Sequence, residues 1–295
     1  MKKRTAVVGL GTAALAGLAV SRLRSSLPLV ETGTFPNGME YARWGTGNRT
    51  VLWIPGGPGS DVPRGTFGIL AGAQFRPLLA AGYSVWQVTR RRNMPAGYTV
   101  EQMAEDYAGL IADSFGGRVD VVVGLSYGGM IAQYLAADHP QRVGRVVLAM
   151  AAAQVTDWGH DVDRRWAQAR AAGRWREAGE AMAEYIYPEP QHWRRRRLLG
   201  PILAQAFKDE QVPPGDLKVE SDAEVLFDAA DALPRIAVPV LVISAQEDLF
   251  FPPELVTRTV DAIPGCQAIQ YQGMGHIRAS MSSRLADDVL EFARS

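Results

Sequence analysis

Short apolar stretches, separated by turn residues and by segments of helical spacing, recur along most of the chain. Residues 51–54, Val-Leu-Trp-Ile, are apolar throughout, the pattern of a strand covered on both faces near the centre of a sheet. Residues 83–89, 121–123, 145–150 and 238–244 are further strand candidates, and 266–271 is a last short one. Ahead of them, residues 30–34 and 39–44 flank Pro36-Asn37-Gly38, and Asn-Gly between strand-like runs predicts a hairpin. Residues 99–115 carry Val100, Met103, Tyr107, Leu110 and Ile111 on one helical face, and Thr99 with Gln102 fits a capping box. A second helix runs from Tyr127 to about His139, where Pro140 stops it, and a third spans 282–293. His139, at a helix end far from other motifs, reads as structural.

Between residues 151 and 233 this alternation stops. Helix-like segments at 162–171, 174–187 and 191–208 follow one another, with Trp158, Trp166, Trp175, Trp193, Tyr185, Tyr187 and Phe207 among them. The chain therefore divides into an N-terminal segment (1–27), a first core part (28–150), an inserted helical block (151–233) and a second core part (234–295).

Gly124-Leu125-Ser126-Tyr127-Gly128 stands between the apolar run 121–123 and the helix from Tyr127. Strand, tight turn with a serine at its tip, then helix is the context in which a G-x-S-x-G match carries chemistry. The turn is sharp, so the residues two before and two after the serine must be small, and the serine is held in an uncommon backbone conformation.

With this motif the chain resembles the α/β-hydrolase superfamily from about Pro28 to Ser295. The resemblance implies an α/β fold: a mostly parallel central sheet, helices on both faces, and an inserted helical cap roofing the active site. In that superfamily the strand equivalent to 51–54 ends in His-Gly-x-Pro-Gly, and a backbone N–H of the loop completes the oxyanion hole. Here the loop reads Pro55-Gly56-Gly57-Pro58-Gly59, with Pro55 in place of the histidine. Pro58 has no N–H, so Gly57 is the expected donor, with Tyr127 as its partner. Backbone amides approach a developing alkoxide closely where side chains are absent. The strand 238–244 leads to Ala245-Gln246-Glu247-Asp248, which is similar to the superfamily's G-x-x-D, with Asp248 on the acid position and adjacent Glu247 as the fallback. Gly273-Met274-Gly275-His276 then matches the catalytic histidine loop, and the order Ser126, Asp248, His276 is the one this fold uses.

The resemblance thus implies Ser126 as nucleophile, His276 as general base and Asp248 as its orienting acid. A serine at the elbow excludes branches that need a carboxylate nucleophile. Cleavage of an ester-like bond in a small, partly apolar substrate is the leading expectation. The Pro-Gly-Gly-Pro-Gly loop also resembles the proline iminopeptidase pattern, which needs an acidic pocket for the substrate amine; Glu177, Glu180 and Glu184 are candidates. A ligand sensor keeping the fold with little turnover is a third reading, and acyl transfer to an alcohol a fourth.

Composition narrows the picture little further. An apolar fraction of 47% supports a packed core, and 31 basic against 31 acidic residues give no sign of a nucleic-acid partner. One cysteine, Cys266, excludes an internal disulfide, and four scattered histidines lack metal-ligand spacing, so neither metal nor cofactor is expected. The Arg90-Arg91-Arg92 and Arg194–Arg197 runs read as solvated. Lys2-Lys3-Arg4 ahead of the uncharged run 5–20 looks like an export signal or membrane tether, with Arg22 and Arg24 beyond it. Val7-Val8-Gly9-Leu10-Gly11 mimics a dinucleotide fingerprint but has no βαβ unit around it.

Overall fold

A computed structural model describes residues 30–207 and 211–295; the segment 1–27 lies outside the described residues. The chain opens with the expected hairpin. Strands β1 (Val30–Thr34) and β2 (Glu40–Trp44) pair antiparallel from Thr34 with Glu40 to Val30 with Trp44. The turn is closed by Gly38 N–H donating to the Phe35 carbonyl at 2.9 Å, with Gly38 at φ +85°.

Strand β3 (Arg49–Ile54) is followed by α1 (Gly65–Ala71), a 3₁₀ turn, α2 (Arg76–Ala80) and β4 (Tyr83–Val88). Helix α3 (Val100–Ser114) carries the capping box: the Gln102 N–H donates to Thr99 Oγ1 at 3.3 Å, and the Thr99 N–H donates to Gln102 Oε1 at 3.0 Å. Then come β5 (Val119–Leu125), α4 (Tyr127–Asp138) and β6 (Val143–Ala149). Four helices intervene before the next strand: α5 (Asp157–Ala171), α6 (Trp175–Ile186), α7 (Trp193–Phe207) and α8 (Pro214–Val225). The fold closes with β7 (Val240–Ala245), α9 (Pro253–Ala262), β8 (Gln267–Tyr271), α10 (His276–Ser280) and α11 (Arg284–Arg294).

The eight strands form one sheet in the order β1-β2-β4-β3-β5-β6-β7-β8, parallel in every pairing from β4 to β8. Helices on both faces explain why its central strands are apolar at consecutive positions. Leu52, Ile54 and Val122 face a core built with α3 and α4, through Met103, Tyr107 and Ile131. Val51, Trp53, Val121 and Val123 face the opposite core, with Leu78, Leu285, Val289 and Phe292. The chain leaves β3 for β4 on one side and returns to β5 on the other. Strand order therefore reverses at β3, and the loops after β3 and β5 border the crevice where open α/β sheets bind ligands.

The short helices α1, α2 and α10, together with α9 and α8, are not among those the sequence pattern suggests, and α8 has a specific reason. Its inward residues include Asp216, Glu220, Ser221 and Glu224, all buried, so no apolar stripe marks it. Among the described residues no helix is long and apolar enough to cross a membrane.

Ser126 sits between β5 and α4 at φ 52°, ψ −116°, a conformation costly for any residue with a side chain. The turn is as tight as its glycines imply. A Cβ at Gly124 would lie 2.4 Å from the Gly128 carbonyl oxygen, and one at Gly128 would lie 2.1 Å from that of Ile54. Gly128→Ala should therefore destabilise the fold by about 3 kcal/mol, the upper end for overpacking a dense core. Gly109→Ala, at an exposed α3 position with nothing within 4 Å of the added carbon, should instead stabilise by about 0.5–1 kcal/mol. Urea denaturation of the two variants beside wild type checks the contrast.

Candidate active site

Four loops at the carboxyl ends of the parallel strands meet at Ser126. His276, the first residue of α10, places Nε2 3.0 Å from Ser126 Oγ and Nδ1 2.7 Å from Asp248 Oδ2. The other Asp248 oxygen accepts the N–H groups of Phe250 at 2.9 Å and Phe251 at 3.1 Å, so the carboxylate cannot rotate away. The rings of Phe250 and Phe251 lie against the imidazole, with centroids 4.8 and 5.8 Å from it. Glu247, the fallback acid, points outward and is exposed, because neighbouring loop residues project to opposite sides. His139 is distant from this cluster and pairs with Glu105 at 2.7 Å.

Burial of His276 disfavours the imidazolium. The charge and hydrogen bond of Asp248, with a further contribution from Asp163, outweigh that effect and raise the pKa above 6.5. A base so placed accepts a proton more readily than a free imidazole.

The loop after β3 passes directly over Ser126. A Cβ on Gly56 would lie 3.1 Å from Ser126 Cβ, so absence of a side chain matters there. Gly57 has open space around it and needs glycine for its φ of +68° instead. Tyr127 begins α4, where the first N–H groups have no intrahelical acceptor; its side chain turns into the core.

The Arg90–Arg92 run is not the solvated strand end that its composition suggests. Arg90 is buried and forms an ion pair with Glu220 of α8, Nε to Oε1 at 2.8 Å. Arg92 pairs with Glu40, and Arg91 stays half-exposed beside Asp106. The signal for Arg90 was its place at a strand end beside the glycine loop; its partner, far away in sequence, gave none. In the second arginine run, Arg194, Arg195 and Arg197 are exposed as expected, while Arg196 pairs with Glu184 at 2.9 Å.

Ser126 opens into a cavity of about 270 Å³ walled by Trp166, Met182, Tyr185, Phe250 and Ile277. A wider cavity of about 910 Å³ adjoins it, sharing Tyr185, Phe250, His276 and Ile277 and adding Trp158. Trp193, by contrast, is exposed. The acids lining the smaller cavity are Asp61, which pairs with Arg64 at 2.8 Å, and Asp163 of α5, not Glu177, Glu180 or Glu184. Glu177 and Glu180 pair with Arg174 and Arg176 at the surface, and Glu184 pairs with Arg165 and Arg196. Asp163 accepts the Tyr185 hydroxyl and is hydrogen-bonded to Glu224. Burial raises both carboxyls, Glu224 to about 7, and such a pair holds together by sharing a proton. Asp163 was legible in principle: it sits among Val162, Trp166 and Ala169 on the inward face of its helix. Among the described residues no cluster of His, Cys, Asp and Glu could hold a metal ion.

The profile of the Alpha/beta hydrolase family matches residues 51–292. The chain belongs to that family and is an enzyme of the α/β-hydrolase fold. BpoC of Mycobacterium tuberculosis, whose name assigns it provisionally to the non-heme bromoperoxidases, is 26% identical over 227 residues, 69% of this chain and 80% of that protein. Rhodomycin D methylesterase DauP of Streptomyces sp. is 27% identical over 217 residues, covering 61% of this chain and 67% of its own. The crystal structure of an enol-lactonase from Burkholderia xenovorans superposes with a TM-score of 0.65 at 24% identity, covering 90% of this chain and all of that one.

The electrostatics of the site lead to a titration order. In an NMR pH titration of the histidine side chains, His276 should protonate above pH 6.5 and His160, whose pKa is lowered mainly by burial, below it. Asp248→Asn removes the dominant stabilising charge and should move the His276 midpoint down; an unmoved midpoint would refute the assigned pairing.

Proposed function

We propose that this enzyme is a serine hydrolase cleaving an ester-like acyl bond of a small, partly apolar substrate through Ser126, His276 and Asp248. The observation that carries this reading is the hydrogen-bonded line Ser126–His276–Asp248, opening into an apolar-walled cavity at the strand ends. The names of DauP and of the Burkholderia enzyme, a methylesterase and an enol-lactonase, support the same class of bond.

In the proposed reaction, Ser126 Oγ bonds to the substrate acyl carbon while its proton passes to His276 Nε2. Asp248 keeps Nδ1 protonated and stabilises the imidazolium that forms. The carbonyl electron pair moves onto oxygen, and the N–H groups of Gly57 and Tyr127 receive the resulting oxyanion, assisted by the positive end of α4. His276 then gives its proton to the leaving alkoxide, which departs as the alcohol and leaves an acyl-serine. Water repeats the sequence, releasing the carboxylic acid and restoring Ser126. The helices α5 to α8 act as the cap: Trp166, Met182 and Tyr185 shape the space for the acyl portion. The basic start and apolar run of residues 1–27 support export or tethering of this domain.

Asp163 favours a second reading for the same machinery. A buried carboxyl facing the nucleophile across a small cavity would suit a substrate that carries a protonated amine, as an iminopeptidase-like enzyme requires. An α-amino ester and its desamino analogue separate the two readings. Preference for the amino ester in kcat/KM, lost in Asp163→Asn, supports amine recognition; equal use of both esters excludes it.

The primary test compares wild type with Ser126→Ala. Wild type should be labelled by a fluorophosphonate and turn over p-nitrophenyl esters repeatedly, with Ser126→Ala unlabelled and about 10⁴-fold or more slower. Folded wild type that is neither labelled nor active would leave only a binding role.

A further inference from the structure

We infer that Arg90, held by Glu220, is a positioning residue that aims the Gly57 and Tyr127 N–H groups at the oxyanion, so the helical cap takes part in forming the hole. This rests on the serine-hydrolase reading above and adds a role for residues outside the triad.

The geometry is that of a clamp. The Arg90 side chain is fully buried and reaches three consecutive carbonyls of the loop over Ser126. Nη1 donates to the Pro55 oxygen at 2.9 Å, and Nη2 faces the oxygens of Gly57 at 2.7 Å and Gly56 at 3.4 Å. In a trans peptide the N–H points opposite to the preceding C=O. Drawing the Gly56 carbonyl toward Arg90 therefore turns the Gly57 N–H to the side away from it. Three carbonyls facing the same way repel one another, and a guanidinium is the side chain whose planar fork of donors can gather them. Lysine offers a point charge without that fork.

The same group governs the other donor. The Arg90 guanidinium carbon lies 4.6 Å from the centroid of the Tyr127 ring, and the Tyr127 hydroxyl donates to the backbone carbonyl of Glu220 at 2.9 Å. Glu220 completes the arrangement. Its carboxylate takes Arg90 Nη2 at 2.9 Å and the Gly59 N–H, neutralising a cation that could not otherwise stay buried. One turn earlier, Asp216 accepts the N–H groups of Asn93 at 2.9 Å and Met94 at 2.8 Å, fixing α8 to the loop that carries Arg90. Helix α8 is thus joined to both loops and to the first residue of α4.

A purely structural ion pair would affect activity only through the folded fraction. A positioning pair makes a different prediction, because the oxyanion exists only in the transition state and the intermediate. The test uses wild type, Arg90→Lys and Tyr127→Phe at a temperature where each is folded by near-ultraviolet circular dichroism. It measures p-nitrophenyl ester kinetics and inhibition by a trifluoromethyl ketone, which adds to serine as a tetrahedral oxyanion. Arg90→Lys should lower kcat about 10- to 100-fold, short of deleting a donor, with KM within about 3-fold of wild type. Affinity for the ketone should fall in parallel with kcat/KM, and the acid limb of the pH profile should not move.

Tyr127→Phe keeps every charge and removes the hydroxyl tie to α8, together with a weaker 3.7 Å contact to Met103 Sδ, which makes it the informative variant should Arg90→Lys not fold. It should lower kcat about 3- to 10-fold. Unchanged kcat in the folded variants, or a rise in KM alone, overturns the positioning role. Wild type that neither turns over ester nor binds the ketone would instead refute the hydrolase reading, a separately visible outcome.

Discussion

The backbone of Gly128 lies against the Ile54 carbonyl with no room for a Cβ, and much else in the molecule depends on that contact. It brings the start of α4 onto the end of β3, so the serine between β5 and α4 must turn within one residue. The strain at Ser126 follows, and so does its place at the tip of the turn, half-buried at the floor of the cavity. A sheet packed on both faces is what can sustain such strain, since a strained residue persists only where its surroundings over-determine it. The Ser126 N–H donates to the Ala149 carbonyl at 2.8 Å, which anchors the turn to β6 as well.

Most of that framework could be read from the chain alone, because it rests on short-range patterns. Apolar runs located β3, β5 and β7, the capping box located the start of α3, and Asn37-Gly38 located the hairpin. Strand, glycine-flanked serine and helix in immediate succession located the elbow. The resemblance to the superfamily's G-x-x-D spacing also pointed to Asp248 rather than Glu247, and it is Asp248 that turns inward to meet His276.

What escaped the sequence is polar and long-range. Arg90 stands in a basic triplet, and triplets of that kind are usually solvated; nothing local tells that Glu220, some 130 positions later, will meet it. Helix α8 escaped for the same reason. Its inward face carries Asp216, Glu220 and Glu224, so hydrophobic periodicity, the main signal for a helix, is absent. Asp163 was hidden in the opposite way, as one acid among many in a charged helical block, distinguished only by apolar neighbours on its own face. Burial of charge is expensive and therefore uncommon, and pattern reading that assigns charges to the surface fails at the places where that cost is met by a specific partner.

This has a consequence for how the cap and the core relate. In a cap that merely covered the cavity, substitutions would change which substrate fits and leave the chemistry of Ser126 alone. Here α5 and α6 supply the cavity wall through Trp166, Met182 and Tyr185, while α8 contributes the carboxylate that keeps Arg90 buried beneath the glycine loop. The two contributions lie on adjoining helices, and α5 packs against α8, with Asp163 hydrogen-bonded to Glu224 one turn beyond Glu220. A change of substrate shape that displaced α5 would be transmitted through that carboxyl pair to the ion pair below. If α8 positions the oxyanion donors as proposed, selectivity and rate are coupled through one buried polar layer between these helices and the sheet, and a fold shared by many hydrolases acquires its particular chemistry in that layer as much as at Ser126.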